Sequence, residues 1–487
     1  MSKKADRRTR RAVTALLVLP ALASLGLQAT SNAATAAAPA ATGPLSRYLL
    51  VGGTGSGDLT VFRADRDGTL TKVPGSPFKT RTGFAVVVTP DARKVYVAGL
   101  GGVITGHRIG DDGALTPIPG SEIDFGMPVV GLAVTPDGSR LFATMGRART
   151  RAGEVRSFAI ASSGALTPTG RPATPLGENT FLSQPALTPD GRTLIVTHFG
   201  GGKASSFRVA PDAGLTRVGE PIAVGDGPAL PSITPDGRFL YVTNEQGGDI
   251  AGFAIGSGGA LTPTPGSPYP AGSLPHGVAI TPDSRHLYLP EAGGKKLDGF
   301  RIGDDGALTA LPGSPYAAPQ YGMPGRVVLT PDSSRMYVID VLTRSLTSKV
   351  HTYTVGADGG LAPSGQPAAD SGVLFSDGPA AVMTPNQAPV AALRTVRSSG
   401  STRTFSAADS TDADGRVVKY HWDFGGGETV TTTGPEVTRA FTGTGTHTVT
   451  VTVTDDEGCS TELNYTGQTT VCGGGPQARA SLTINLG

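Results

Sequence analysis

The sequence predicts an all-β chain, a seven-bladed β-propeller followed by a small β-sandwich, and three observations carry that prediction. Glycine and proline number 70 and 39 in 487 residues, a density that breaks long helices and punctuates short runs of Val, Ile, Thr, Tyr and Phe. The phrase Thr-Pro-Asp returns at Thr89, Thr135, Thr188, Thr234, Thr281 and Thr330, with Thr-Pro-Asn at Thr384, at intervals of 46, 53, 46, 47, 49 and 54 residues. A period near ~50 marks a propeller or an array. Past residue 388 the pattern changes to strict alternation, as in THTVTVTVTD, which reads as half-buried strands.

The first element is a targeting segment. Residues 1–34 join a basic start (MSKKADRRTRR), an apolar run (AVTALLVLPALASLGL) and small residues, the order of an export signal. Arg10 and Arg11 in TRRAV leave twin-arginine export open beside the general route. Residues 35–44, rich in Ala, Pro and Thr, read as a flexible leader. Residues 1–12 hold six Lys or Arg and one Asp, so without them the net charge falls from +2 to −3. A mildly acidic mature chain with no basic stripe excludes nucleic acid as the expected partner. No later apolar run approaches the ~18 residues of a membrane span. The expected location is secreted or extracellular, with cell-wall association one option, and a monomer is expected.

The repeat occupies residues 45–386. Each copy runs an apolar strand into TPD, a second strand such as RFLYV, a glycine-rich loop, a third strand such as DIAGFAI, a GSGGAL turn and then LTPTPGSP, which is the strand content of one blade. Proline fits the second position of a type I turn and glycine the fourth, where Ala92, Ser284 and Ser333 stand in other copies. GDDGAL reads as a tight turn rather than a calcium loop, because two adjacent aspartates lack the ligand spacing of one. The first copy, RYLLVGGTGSGDLTVF, has no TPD strand of its own, while PAAVMTPN at 379–386 is a TPD strand with nothing after it. The last strand is therefore expected to complete the first blade and close the ring, leaving no open sheet edge.

The stretch FLYVTNEQGGDIAGFAIGSGGALTPTPGSPYPAG resembles the YVTN-repeat, lactonase-type seven-bladed propellers, which include 6-phosphogluconolactonases and cycloisomerases acting on muconates. The resemblance covers about 340 residues and implies the propeller fold. The single tryptophan, Trp422, lies outside the ring, which with the long repeat argues against a WD-type propeller.

Residues 388–487 form the second domain. DSTDADGRVVKYHWDFGGGETV and TGTHTVTVTVTDDEG resemble a PKD domain, an immunoglobulin-like β-sandwich of exported proteins. That resemblance implies Trp422 and Phe424 as core anchors and Asp423 as a structural acceptor, and Gly426 departs from the family's usual WDFGDG. Asp412 and Asp414 in DADG read as an Asp-stabilised turn. Cys459 and Cys472, the two cysteines, are expected to form a disulfide worth roughly 2–3 kcal/mol on the loop-entropy account. No metal site and no cofactor are expected.

Strand direction sorts the loops by face. TPD and GGAL turns share one face, and the glycine loops share the other with the segments that precede each innermost strand. The second strands end at Gly52, Gly99, Met145, His198, Asn244, Glu291 and Asp340, so blades four to seven are polar there. His198, Asn244, Glu291 and Asp340 are accordingly candidate ligand-binding residues. Glu245 follows Asn244, while His276 and Arg326 are expected to lie before the innermost strands of blades six and seven. Glu245, His276 and Arg326 are the candidate catalytic residues, because carboxylate, imidazole and guanidinium at one channel mouth suit acid/base chemistry on a lactone. Glu245 in YVTNE matches the glutamate of lactonizing relatives, yet GPAL at 227–230 and FLSQPAL at 181–187 lack their arginine and histidines. The favoured expectation is a secreted ligand-binding or cell-surface scaffold, its partner a small polar ligand, polysaccharide or surface protein, with the PKD module contacting glycan or protein. The alternative is a lactonase-like or cycloisomerase-like enzyme.

Overall fold

The computed structural model describes residues 47–147, 152–319, 322–343 and 345–486, so the expected export signal and leader lie outside the described residues. Seven antiparallel sheets follow one another around a ring, each with four main strands. Blade five shows the plan: Pro228–Ile233 innermost, then Phe239–Asn244, Asp249–Ile255 and Leu261–Pro263. The GSPY phrase adds a short piece, Tyr269–Pro270, that also pairs with the third strand. Blade one comprises Arg47–Gly53, Asp58–Ala64 and Leu70–Lys72, closed by Ala381–Met383 in the register Leu49↔Met383 and Val51↔Ala381. The seam is where the sequence places it, and it removes the exposed edge that an open ring would present.

Each repeated motif has a bonding reason. In TPDG the Gly237 amide donates to the Thr234 carbonyl at 2.8 Å and the Arg238 amide to the Asp236 carboxylate at 3.0 Å. Gly237 then takes φ +74°, a type I turn followed by a left-handed residue. Ala92, Ser284 and Ser333 hold the same left-handed place at φ 56°, 60° and 57°, where a Cβ is strained. The tyrosine of YVTN reaches across to the next blade: Tyr96, Tyr241 and Tyr288 donate to the carbonyls of Gly164, Gly306 and Gly359, each at 2.8 Å. Those glycines belong to the GGAL-type turns. Two motifs that look independent are thus the two ends of one buried hydrogen bond, worth about 1 kcal/mol and far more costly to leave unmade. In GDDG, Asp112 accepts the Ala114 amide at 3.0 Å, a turn function.

The sandwich packs Thr429–Thr432, Val417–Asp423, Gly445–Asp455 and Arg479–Leu486 against Arg394–Ser399, Thr402–Ser406 and Glu436–Ala440. Trp422 is fully buried with Phe405, Phe424, Phe441, Val449 and Val451, and its Nε1 donates to Thr432 Oγ1 at 3.0 Å. Asp423 accepts the Gly425 amide at 2.8 Å. Cys459 and Cys472 are disulfide-bonded.

The sandwich docks on the TPD face. Arg47, which opens the outer part of blade one, pairs with Asp414 and Glu457 and donates to the Pro385 carbonyl at 3.1 Å. Asp414 is therefore a docking residue as well as a turn residue. Gln387 adds a bond to the Pro90 carbonyl at 3.0 Å. A cavity of about 260 Å³ lies in this junction, bordered by Arg47, Arg66 and Arg335 and by the carboxylates of Asp65, Asp332, Asp414, Asp456 and Glu457.

Candidate functional site

The four strand-end residues turn inward to their own blades. His198 is 2% exposed, with Nδ1 at 3.1 Å from Ser183 Oγ and Nε2 at 2.8 Å from Ser205 Oγ. Burial, then Arg217 and Lys203, depress its pKa to about 4, so the ring is neutral. Asn244 donates to the Val224 carbonyl at 3.2 Å and to Asp249. Glu291 accepts the Ser273 amide at 3.3 Å, and its charge, after burial, lifts the pKa of Asp298 to about 7. Asp340 pairs with His351 Nε2 at 2.9 Å.

A glycine receives three of these side chains. Gly225, Gly272 and Gly322 have no room for a Cβ, because Asn244, Glu291 and Asp340 respectively occupy that place. The polar run of blades four to seven thus anchors the loops of its own blades, with Asn244 Oδ1 and Asp340 Oδ1 left without a hydrogen-bond partner. Burying a polar group demands a partner, and within each of these blades the partner is backbone, serine, aspartate or histidine.

Glu245, His276 and Asp377 do come together. His276 Nδ1 lies 2.8 Å from Glu245 Oε1 and Nε2 lies 3.1 Å from Asp377 Oδ1, the second contact ionic rather than a directed hydrogen bond. Their side chains are 13%, 18% and 30% exposed, as befits a mouth rather than a core. Burial alone would lower the imidazole's pKa, but Glu245 and Asp377 outweigh it and raise it to about 10. The ring is an imidazolium at neutral pH, a donor and cation rather than a base. Asp377 is held below the ordinary carboxylate range, burial being overcome by His276 and the Gly378 amide.

Sequence reasoning missed Asp377, although a signal existed. SDGPAA at 376–381 repeats the GDGPAL of 225–230, so Asp377 precedes an innermost strand just as Asp226 does.

Arg326 sits one step deeper: it lies within the innermost strand of blade seven, Gly322–Leu329, and not before it, because that strand begins earlier than the sequence suggested. A Cβ placed on Gly277, the residue after His276, would lie 2.9 Å from Arg326 Nη1 and 2.8 Å from Leu230 Cδ1. The residue is half-buried, its Nε enclosed, and it borders the cavity in the channel. Its Nε has no hydrogen-bond partner and no carboxylate is paired with it among the described residues. Burial accordingly depresses its pKa to about 10. Leu230, itself buried, packs beside Gly277 at the same level. The mouth therefore offers an acid–imidazolium–acid chain above an uncompensated cation.

Comparison with known proteins agrees with the architecture. Residues 186–365 match the family model described as Lactonase, 7-bladed beta-propeller, and residues 386–471 match the PKD domain. A putative 6-phosphogluconolactonase from Bacteroides fragilis superposes with a TM-score of 0.56 at 18% identity, covering 71% of this chain and 99% of that one. The Pseudomonas aeruginosa periplasmic gluconolactonase gives 0.55 at 19%, covering 70% and 99%. A protein from Lactobacillus plantarum gives 0.56 at 20%, covering 69% and 99%. No curated protein matches the chain. At these identities the likeness speaks for the fold.

Proposed function

Since the chain is a lactonase-type seven-bladed propeller followed by a PKD domain, we propose that it binds a small acidic ligand at the channel mouth, as a secreted binding or cell-surface interaction protein. The observation that carries this reading is Arg326, a half-buried guanidinium whose Nε has no hydrogen-bond partner and which no carboxylate pairs among the described residues. Holding such a charge partly out of water without a partner is unfavourable. A ligand carboxylate repays that cost with a charge-assisted, bidentate hydrogen bond. His276, held as an imidazolium, supplies a second donor above it, and Glu245 and Asp377 accept from ligand hydroxyls. The disulfide and the PKD domain support an extracellular location, and no described helix is long and apolar enough to cross a membrane. The PKD module is proposed to contact glycan or protein.

The Glu245–His276 contact favours a second reading, lactone hydrolysis. Glu245 would take a proton from water as that water adds to the lactone carbonyl, and His276 would donate its proton to the ring oxygen as the C–O bond breaks. Calorimetry of the purified chain with gluconate, glucarate and muconate, beside a lactone hydrolysis assay and a panel of insoluble polysaccharides, separates the readings. Binding without turnover, lost in Arg326→Met, supports the first. Turnover abolished by Glu245→Gln replaces it with the second.

A further inference from the structure

The disulfide-closed loop of the PKD domain does not hang free; it enters the propeller. Each innermost strand turns one edge of backbone N–H and C=O groups toward the channel, and in four successive blades the loop answers the residue just before TPD. Thr469 Oγ1 donates to the Val88 carbonyl at 3.4 Å. The amides of Val134, Leu187 and Ile233 donate to the carbonyls of Gln468, Gly467 and Thr466 at 3.3, 2.7 and 3.1 Å. Gln468 reaches further in, with Nε2 on the carbonyls of Pro185 at 3.0 Å and Pro231 at 2.6 Å. Tyr465, wholly buried among side chains of blades three and four, donates to the Val134 carbonyl at 2.7 Å. Gly467 lies over Ala186, where its own Cβ would come within 3.0 Å of that side chain.

The loop fills the half of the channel facing blades two to five. What remains, against blades six, seven and one, is a cavity of about 80 Å³ bordered by Arg326 on one side and by Thr466, Gln468, Thr469 and Thr470 of the loop on the other. Such a space is ample for water molecules or one small oxyanion, a single water needing only ~10–15 Å³ of the same measure. Two buried polar groups without a partner border it: Arg326 Nε and Thr470 Oγ1. Thr470 is 1% exposed, so no bulk water serves its hydroxyl. Orphaned buried donors on both walls of one cavity call for a common acceptor.

We infer that this cavity is an oxyanion site built jointly by the two domains, with the Arg326 guanidinium and the Thr470 hydroxyl as its donors and the PKD loop as its wall. The inference rests on the Arg326 reading above and deepens it: the occupant is a single oxyanion group, either a free inorganic ion or the carboxylate of a longer molecule that extends to the mouth. The PKD domain is then part of the propeller's binding site rather than an appended spacer.

The test uses the full chain, with sulfate as probe against chloride at matched ionic strength and gluconate as a second arm, binding read by calorimetry. Sulfate is expected to bind the wild type. Arg326→Met should abolish binding, and the isosteric Thr470→Val should weaken it about tenfold, with Thr470→Ser restoring it. Tighter gluconate than sulfate assigns the cavity to a ligand carboxylate, and the reverse order to an inorganic ion. Unchanged affinity in Thr470→Val overturns the joint site while leaving Arg326 as an anchor. Absence of sulfate and gluconate binding to the wild type overturns both. Should Thr470→Val weaken binding only through a displaced loop, hydrogen exchange will show it: faster exchange at Val134, Leu187 and Ile233 in that variant overturns the donor role, and unchanged exchange supports it.

Discussion

The protonation of His276 is the property on which any chemistry at the mouth turns, and it yields a sharp test. A rise from the ordinary 6.5 to about 10 corresponds to about 5 kcal/mol of preference for the charged ring at 1.36 kcal/mol per pH unit. Because the folded value lies above the unfolded one, this stabilisation is fully present below pH 6.5, has fallen to about 3 kcal/mol by pH 8, and is lost as pH rises through about 10. Burial works against the charge, so it depends on the carboxylates, Glu245 first. Glu245→Gln is therefore expected to lower the titration by about 1–3 pH units, and Asp377→Asn to do so as well. With seven histidines in the chain, ¹⁵N-histidine labelling and long-range ¹H–¹⁵N spectra between pH 5 and 11 resolve the ring directly. Urea unfolding at pH 6 and 9 should show the wild type losing more stability than Glu245→Gln over that interval. A wild-type His276 that titrates at or below pH 7, or one indifferent to Glu245→Gln, refutes the reasoning and restores the imidazole as a base.

Further outcomes follow from other sites. Arg326→Leu removes a half-buried cation that no described carboxylate pairs and puts apolar atoms in its place, so urea unfolding should show a gain of up to about 1 kcal/mol even as anion binding disappears; a net loss would mean the guanidinium is paired. His198 is depressed to about 4, so the unfolded chain takes its proton first as pH falls below 6.5. About 3 kcal/mol present above pH 6.5 is lost on descent through pH 4, and His198→Gln should flatten that slope in urea midpoints at pH 7, 5 and 4. Glycine at Ala92 or Ser333 relieves a left-handed Cβ and should add about 1 kcal/mol each in thermal unfolding, whereas Ser284→Gly should gain less because it also loses the bond that Ser284 Oγ accepts from the Asp236 amide at 3.1 Å; a loss at Ala92 or Ser333 would refute the strain argument.

Much of the fold was legible because its signals are local. A turn that needs Pro, Asp and a left-handed residue repeats once per blade, and strand alternation needs only neighbouring residues, so seven blades, the closing strand at 381–383 and the sandwich could be read directly. The site was harder. Glu245 and His276 were legible as residues of one face, but their contact at 2.8 Å depends on the approach of blades five and six. Asn244, Glu291 and Asp340 read as ligand residues because polarity at a strand end looks alike whether it faces a channel or a glycine. Gly225, Gly272 and Gly322 decide between those cases, and each lies 18 or 19 residues upstream of the side chain it receives.

The sequence by itself determined the architecture: the number of blades, the closure of the ring, the sandwich and the Cys459–Cys472 disulfide. All of these follow from backbone chemistry written within a few residues and repeated. Only the tertiary structure decided which polar groups are free to act. It gave Glu245, His276 and Asp377 to one another, left Arg326 without a counterion among the described residues, and carried a loop of the second domain more than two hundred residues along the chain into the channel of the first. Whether a charge is anchored or available depends on what the fold brings against it, and those partners come from blades and domains far apart in sequence.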